Sequence, residues 1–138
     1  MEKIISIDYG LKLSGISITN NENSLALGLK CLKTDKIFFF LKNIIKKEYI
    51  KIIVIGFPIK LNNKYQNITK KVLSFKKKLL ILFPEILVEL IDERYTSKIA
   101  NTYIKNMNFK KKKKEKKNII SSILILQTYL NLKKKKII

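Results

Sequence analysis

Apolar and polar positions alternate along the first part of the chain, and then the period lengthens. Lys3 to Asp8 carries Ile4, Ile5 and Ile7 and stops at Asp8-Tyr9-Gly10, a β-rich run closed by a turn signal. Ser14 to Asn20 sets Ile16 and Ile18 against Ser17 and Thr19, the two-residue period of a strand with one buried face. Asn20 to Asn23 is a polar turn, and Leu25 to Leu32 reads as a third strand. Three strands joined by short turns predict an antiparallel meander.

Beyond the meander the spacing becomes helical. Thr34-Asp35 resembles a helix start, and Ile37, Phe38, Leu41, Ile44 and Ile45 follow on one face. Ile50 to Ile55 is a continuous β-branched run, ended by Gly56 and Pro58, that suits a central strand covered on both sides. Asn67 to Leu82 places Ile68, Val72, Phe75 and Leu79 on one stripe with lysines opposite, and Pro84 stops it. Ile86 to Ile91 is a fifth strand, and Thr96 to Lys105 reads as a helix. Asn108 to Lys117 is a basic connector expected to be mobile, and Asn118 to Leu130 is a last, broadly apolar helix. Residues 133–138 form a basic tail. The order βββ-α-β-α-β-α-α predicts an α/β protein: a five-stranded mixed sheet with helices on both faces, in RNase H-like topology. The 138 residues are one domain's worth of chain, with no internal repeat, so a single domain over 1–138 is expected.

Charge narrows the classes of partner. Thirty basic residues against 10 acids give a formal +20, which attracts polyanions at range. Nucleic acid is the first candidate and an anionic membrane the second. A drift toward Lys, Ile and Asn through A- and T-rich codons gives the same excess. Among the basic residues only Arg94 is an arginine, placed directly after Glu93, and a planar bidentate guanidinium is not interchangeable with lysine. The absence of histidine excludes Ser-His-Asp and Cys-His catalysis and His-based zinc sites. Cys31 alone allows no internal disulfide. No apolar run approaches the roughly 20 residues of a membrane span, and the N-terminus lacks a signal core, so a cytoplasmic protein is expected.

Two strand ends carry acids. Asp8 closes the first strand, where an ionised carboxylate is costly unless paired or holding a metal, and where it also serves as an ordinary turn initiator. Asp92-Glu93 closes the fifth. Successive residues of a strand alternate sides, so one of these two acids points at a given neighbour. The plain alternatives there are a solvated strand end or a Glu93–Arg94 surface pair of little value. If the first, fourth and fifth strands adjoin, Asp8 and Glu93 converge on the sheet edge where ligands of open α/β sheets bind. A hard dication would relieve their repulsion. Gly10 and Gly15 bracket the first turn, either as ordinary turn glycines or as points of close backbone approach. Gly56 and Pro58 steer the chain out of the central strand or line a substrate path. The runs Lys110 to Lys114 and Lys133 to Lys136 either contact phosphates or are solvated. Tyr65, Tyr95 and Tyr103 either stack bases or pack.

In combination these segments resemble the YqgF family of pre-16S rRNA nucleases, also described as Holliday junction resolvase-like. Ile7-Asp8-Tyr9-Gly10 with Lys12 and Gly15 is similar to its opening motif, and Ile53 to Pro58 to its second. Val88 to Ser97 with Ala100 is similar to its third, and Ile123 to Leu130 to its closing helix. The resemblance covers residues 3 to 131. It implies an RNase H-like endonuclease hydrolysing phosphodiester bonds of structured RNA, in 5′-end processing of pre-16S ribosomal RNA. The cofactor implied is Mg²⁺ or Mn²⁺, held by Asp8 and Glu93. Lys12, Arg94 and Thr96 are implied to touch substrate or to orient Glu93, and Gly10, Gly15, Gly56 and Pro58 to shape the site.

The chain departs from the family at one place. The family's third acid lies nine residues before the position of Gln127, which here is Asn118. An amide ligates through oxygen but brings no charge, so a weakened third ligand is expected; Asn is equally a favoured helix N-cap. Glu115, three residues earlier, is a substitute acid if the connector folds back. The expected partners are precursor ribosomal RNA and ribosomal particles, ahead of DNA and with no membrane, for a monomer or weak homodimer. Two other classes stay open: a non-catalytic RNA- or ribosome-binding module with an eroded site, and a DNA junction resolvase.

Overall fold

The computed structural model describes residues 2–57, 63–92 and 113–134. Five strands form one sheet: β1 (Lys3–Asp8), β2 (Leu13–Thr19), β3 (Ala26–Lys33), β4 (Ile50–Phe57) and β5 (Leu87–Asp92). Their order across the sheet is β3-β2-β1-β4-β5. β1, β2 and β3 pair antiparallel as the predicted meander, and β4 and β5 join β1's flank in parallel. Three α-helices accompany them among the described residues: α1 (Ile37–Lys47), α2 (Asn63–Leu82) and α3 (Lys113–Lys134).

The two-residue period of the strands sorts side chains between two cores. Ile5, Ile7, Ile16, Ile18, Ile53, Ile55 and Val88 face one side and pack against Ile37 and Leu41 of α1 and Val72, Phe75 and Leu79 of α2. Ile4, Ile52, Val54 and Ile91 face the other and pack against Ile125, Leu126 and Tyr129 of α3. Helices therefore cover both faces, and the helical stripes read from spacing are the buried ones. β4 lies inside the sheet with Ile53, Val54 and Ile55 fully buried, as its unbroken β-branched run predicts.

Several boundaries differ from the sequence reading. Thr34–Lys36 is a 3-10 turn, and α1 begins at Ile37 with no side-chain cap. The Thr34 hydroxyl is drawn instead to the Gly10 carbonyl, 2.6 Å away. α2 begins at Asn63, four residues early. α3 begins at Lys113, so residues 113–117 of the expected connector are helical; Lys and Glu are good helix formers, and Glu115 lies in the first turn, where the helix dipole favours an acid. At the other end, Lys133 and Lys134 of the basic tail are the last turn of α3. The expected helix at 96–105 and residues 108–112 and 135–138 lie outside the described residues.

Where α3 crosses the sheet, its polar atoms are paired. Ser122, fully buried, shares a hydrogen bond with the Ser17 hydroxyl and donates to the Ile119 carbonyl (2.6 Å), while the Ser6 hydroxyl donates to the Ser122 carbonyl (2.6 Å). Gln127 Oε1 accepts from the Ala26 amide at 3.0 Å. Buried hydroxyls are tolerated there because each has a partner, and the bonds fix where α3 sits along β1 and β2.

Candidate active site

β1 delivers Asp8, half-buried, to the carboxyl edge of the sheet. Asp8 is the register partner of Gly15 on β2, and Gly15 of Cys31 on β3. On the other flank Ile7 is level with Ile55 and Ile55 with Leu90, so the tips of β1, β4 and β5 end side by side. This is the adjacency on which convergence of Asp8 with the end of β5 depends.

Gly15 stands within β2 rather than in the turn, and no described glycine has positive φ. Its role is close approach. A Cβ on Gly15 would collide with the Asn118 carbonyl group and lie 2.9 Å from the Ile119 nitrogen. The α3 backbone thus rests on β2 beside Asp8. Gly10 likewise has no room for a side chain, since a Cβ would collide with the Leu13 carbonyl oxygen. The loop between β1 and β2 is clasped by two hydroxyls that sequence reasoning passed over. The Gly10 amide donates to Ser14 Oγ (3.2 Å), Ser14 Oγ and Thr34 Oγ1 share a hydrogen bond (2.8 Å), and Thr34 Oγ1 donates to the Gly10 carbonyl. A serine at an inward strand position, where an isoleucine would fit the pattern, is the signal that marks Ser14. On the far side Tyr9 packs its ring on Phe75 of α2, 4.8 Å between centroids, and burial pushes its phenol pKa up. Asp8 is thus flanked by residues anchored to the 3-10 turn after β3 and to α2.

Asn118 lies in the second turn of α3, not at its start, so the N-cap role does not apply; helix formation by Lys113 to Lys117 moves the terminus away from it. Its amide nitrogen reaches Cys31 Sγ at 4.0 Å. Burial pushes the Cys31 thiol pKa up, the hydrogen bond from Asn118 pulls it down, and the charges of Glu115 and Asp8 push it up further. The helical start of α3 therefore brings Glu115 into the same electrostatic neighbourhood as Asp8 and Asn118. Lys12 is exposed at the tip of the loop.

The remaining sequence candidates are only partly placed. Glu93, Arg94, Thr96 and Pro58, with Tyr95 and Tyr103, lie outside the described residues, as does the side chain of Tyr65. Asp92 is the last described residue of β5. It is paired with Phe57 and shares the face of Val88 and Leu90, opposite to that of Asp8. Gly56 lies within β4, paired with Ile91, and the strand continues to Phe57 rather than turning out at the glycine.

A groove of about 790 Å³ opens beside Asn118. Leu11 and Lys12 of the first loop, Lys33 at the end of β3, Asp35 of the 3-10 turn and Lys117 of α3 form its walls. Nucleases of the resolvase and RNase H-like type generally use divalent metals. Among the described residues no group of three or more Cys, Asp or Glu is close enough to hold an ion. No described helix is long and apolar enough to cross a membrane.

A mixed sheet in the order β3-β2-β1-β4-β5, with helices on both faces, is the RNase H-like fold. Solved structures with this arrangement include Thermus thermophilus RuvC in complex with a Holliday junction substrate, at a TM-score of 0.67 and 10% identity over 96% of both chains. The fowlpox virus resolvase bound to Holliday junction DNA superimposes at a TM-score of 0.54 with 15% identity, over 94% of this chain and 97% of that one. The chain belongs to the family described as "RuvX: Holliday junction resolvase", whose model matches residues 2–132. Among its relatives is a protein of Karelsulcia muelleri (strain GWSS), 40% identical over 94% of this chain and 99% of its own. Another, from Bacteroides thetaiotaomicron, is 36% identical over 97% and 99%. Both carry the name "Putative pre-16S rRNA nuclease".

Proposed function

We propose that this chain is a cytoplasmic, single-domain, metal-dependent endonuclease that cuts structured RNA, acting in 5′-end processing of pre-16S ribosomal RNA. The observation that carries the reading is the position of Asp8, at the end of the middle strand, beneath α3 and beside the tips of β4 and β5. The names of the relatives supply the substrate.

Asp8 and Asn118 offer hard oxygen donors, and Glu115 adds negative charge nearby. Mg²⁺ is usually bound through one or two carboxylates together with substrate phosphates and retains several waters, so this donor set fits it without a third described acid. Asp8 is the anchoring ligand. Glu93, the acid that directly follows β5 in the sequence, is the second. With the Asn118 amide nitrogen engaged by Cys31, its Oδ1 is the atom with ligating chemistry, a neutral third ligand. When bound, a divalent ion supplies Lewis-acid stabilisation of the charge that builds on phosphate oxygens during hydrolysis. Lys12 neutralises a backbone phosphate, and Arg94 and Thr96, next along the chain from Glu93, orient that carboxylate or bind the phosphate beside it. The clasped loop and the close-packed Gly15 hold Asp8 still, which a site dependent on positioning requires.

A competition assay tests the substrate. Precursor ribosomal RNA and a four-way DNA junction, mixed at equal concentration with Mg²⁺, are incubated with wild type and with Asp8→Asn. The RNA is cut faster by wild type, and Asp8→Asn cuts neither. Faster cutting of the junction would replace RNA with branched DNA as the substrate. Salt-sensitive RNA binding without any cutting above the Asp8→Asn background would leave a binding module.

A further inference from the structure

The net charge of +20 says that polyanions are attracted but not where one lies. The groove beside Asn118 supplies a location. Its basic groups come from three separate parts of the chain: Lys12 from the loop after Asp8, Lys33 from the end of β3 and Lys117 from α3. All three are exposed. Among the described residues of its walls Asp35 is the lone acid, which leaves an excess of two positive charges. Leu11, 59% exposed at the rim, is an apolar surface next to these cations. The alternation of charge and hydrocarbon matches a nucleotide chain, with phosphates on lysines and a sugar or base edge on the leucine. At about 790 Å³ the groove is the size of a site for a drug-sized ligand, one or two nucleotides, and not of a duplex. Asn118 links it to the row of Asp8, Gly15 and Cys31. The loop bearing Lys12 is held by Thr34, whose amide donates to the Lys12 carbonyl at 2.9 Å, so the wall is built rather than loose.

We infer that this groove is the exit track of a single RNA strand flanking the cleavage point, with Lys12, Lys33 and Lys117 each seating one backbone phosphate. The inference rests on the nucleic-acid reading of the Asp8 centre but is tested without cleavage. RNA leaves the centre between the first loop and α3, and its path is set by the convergence of three elements rather than by the lysine-rich composition of the chain.

The test measures equilibrium binding by fluorescence anisotropy in the presence of a chelator, with Asp8→Asn as the parent so that no RNA is cut. One RNA hairpin carries a single-stranded flank, and a blunt-ended RNA hairpin of equal length lacks it. Lys12→Ala, Lys33→Ala and Lys117→Ala are combined in one variant. A charge-matched control combines Lys71→Ala, Lys77→Ala and Lys78→Ala, all exposed on α2 on the opposite face of the sheet. For the flanked RNA, the slope of log affinity against log salt becomes shallower by about 2 in the groove variant, one released counterion fraction per lost phosphate contact. It changes little in the control, and the blunt hairpin does not distinguish the two variants. Equal losses in both variants would show diffuse attraction by the charged surface and overturn the track, and so would a loss shared by the blunt hairpin or no loss at all. Cleavage by the wild type, which keeps Asp8, is measured separately. Loss of the nuclease reading appears there, and loss of the track appears in the binding slopes.

Discussion

Asn118 is the neutral member of the proposed ion site. It stands over β2 beside Asp8, with Cys31 and Glu115 close by. An amide at this point lowers repulsion in the metal-free protein and lowers attraction for a dication. A unit charge 4 Å from another is worth about 4 kcal/mol at an effective dielectric of 20, and solvent and neighbouring ligands reduce that. Asn118→Asp is therefore expected to tighten Mg²⁺ binding about tenfold, or roughly 1.4 kcal/mol. The same substitution adds an acid beside Asp8 and Glu115, so the metal-free variant melts below wild type and gains more from added Mg²⁺. Thermal melts of both proteins across an Mg²⁺ series read this directly. Identical Mg²⁺-dependent gains would mean that position 118 does not face the ion. The position of Asn118 was only half legible in the sequence. Its spacing from Gln127 placed it, but its N-cap alternative stood until the helix was seen to begin five residues earlier.

At the scale of elements, the position of α3 decides whether there is a site. The helix meets the sheet at two glycines with different tolerances. At Gly15 the neighbours are backbone atoms of Asn118 and Ile119, which cannot move without the helix. At Gly28 a Cβ would meet side-chain atoms, Ile119 Cγ2 at 2.7 Å and Ile123 Cδ1 at 3.0 Å; the Cδ1 end can turn aside, while the β-branched Cγ2 yields only by a small shift. Gly15→Ala is expected to cost about 3 kcal/mol, around a 10 °C fall in melting temperature, and Gly28→Ala clearly less. Differential scanning calorimetry of the two variants checks the order, and a reversed order would contradict this packing. The strands and the buried stripes of α1 and α2 were readable because period 2 and period 3.6 each label a buried face. The N-termini of the helices were not. A lysine run looks like a solvated connector by charge, yet its helix propensity is good, and the apolar turns downstream dock α3 and carry residues 113–117 along. Thr34 looked like a helix start because hydroxyls cap helices; here its hydroxyl is spent on the Gly10 loop, a partner 24 residues distant that no local pattern reveals.

At the scale of the molecule, the strand order brings β1, β4 and β5 together, although 41 residues separate the end of β1 from the start of β4. That adjacency was conditional in the sequence and is a property of the fold. Net charge, legible from composition alone, gave a class of partner but no location; the groove gives one because three elements must assemble to form it. The central claim is that Asp8 at this sheet edge anchors a divalent ion for RNA hydrolysis. Its most direct test is an Mg²⁺ titration of precursor RNA cleavage by wild type and Asp8→Asn at constant ionic strength. Cutting by wild type rises from zero to saturation with Mg²⁺, while the variant stays at background or saturates only at far higher concentration. Indistinguishable curves for the two proteins would contradict the claim.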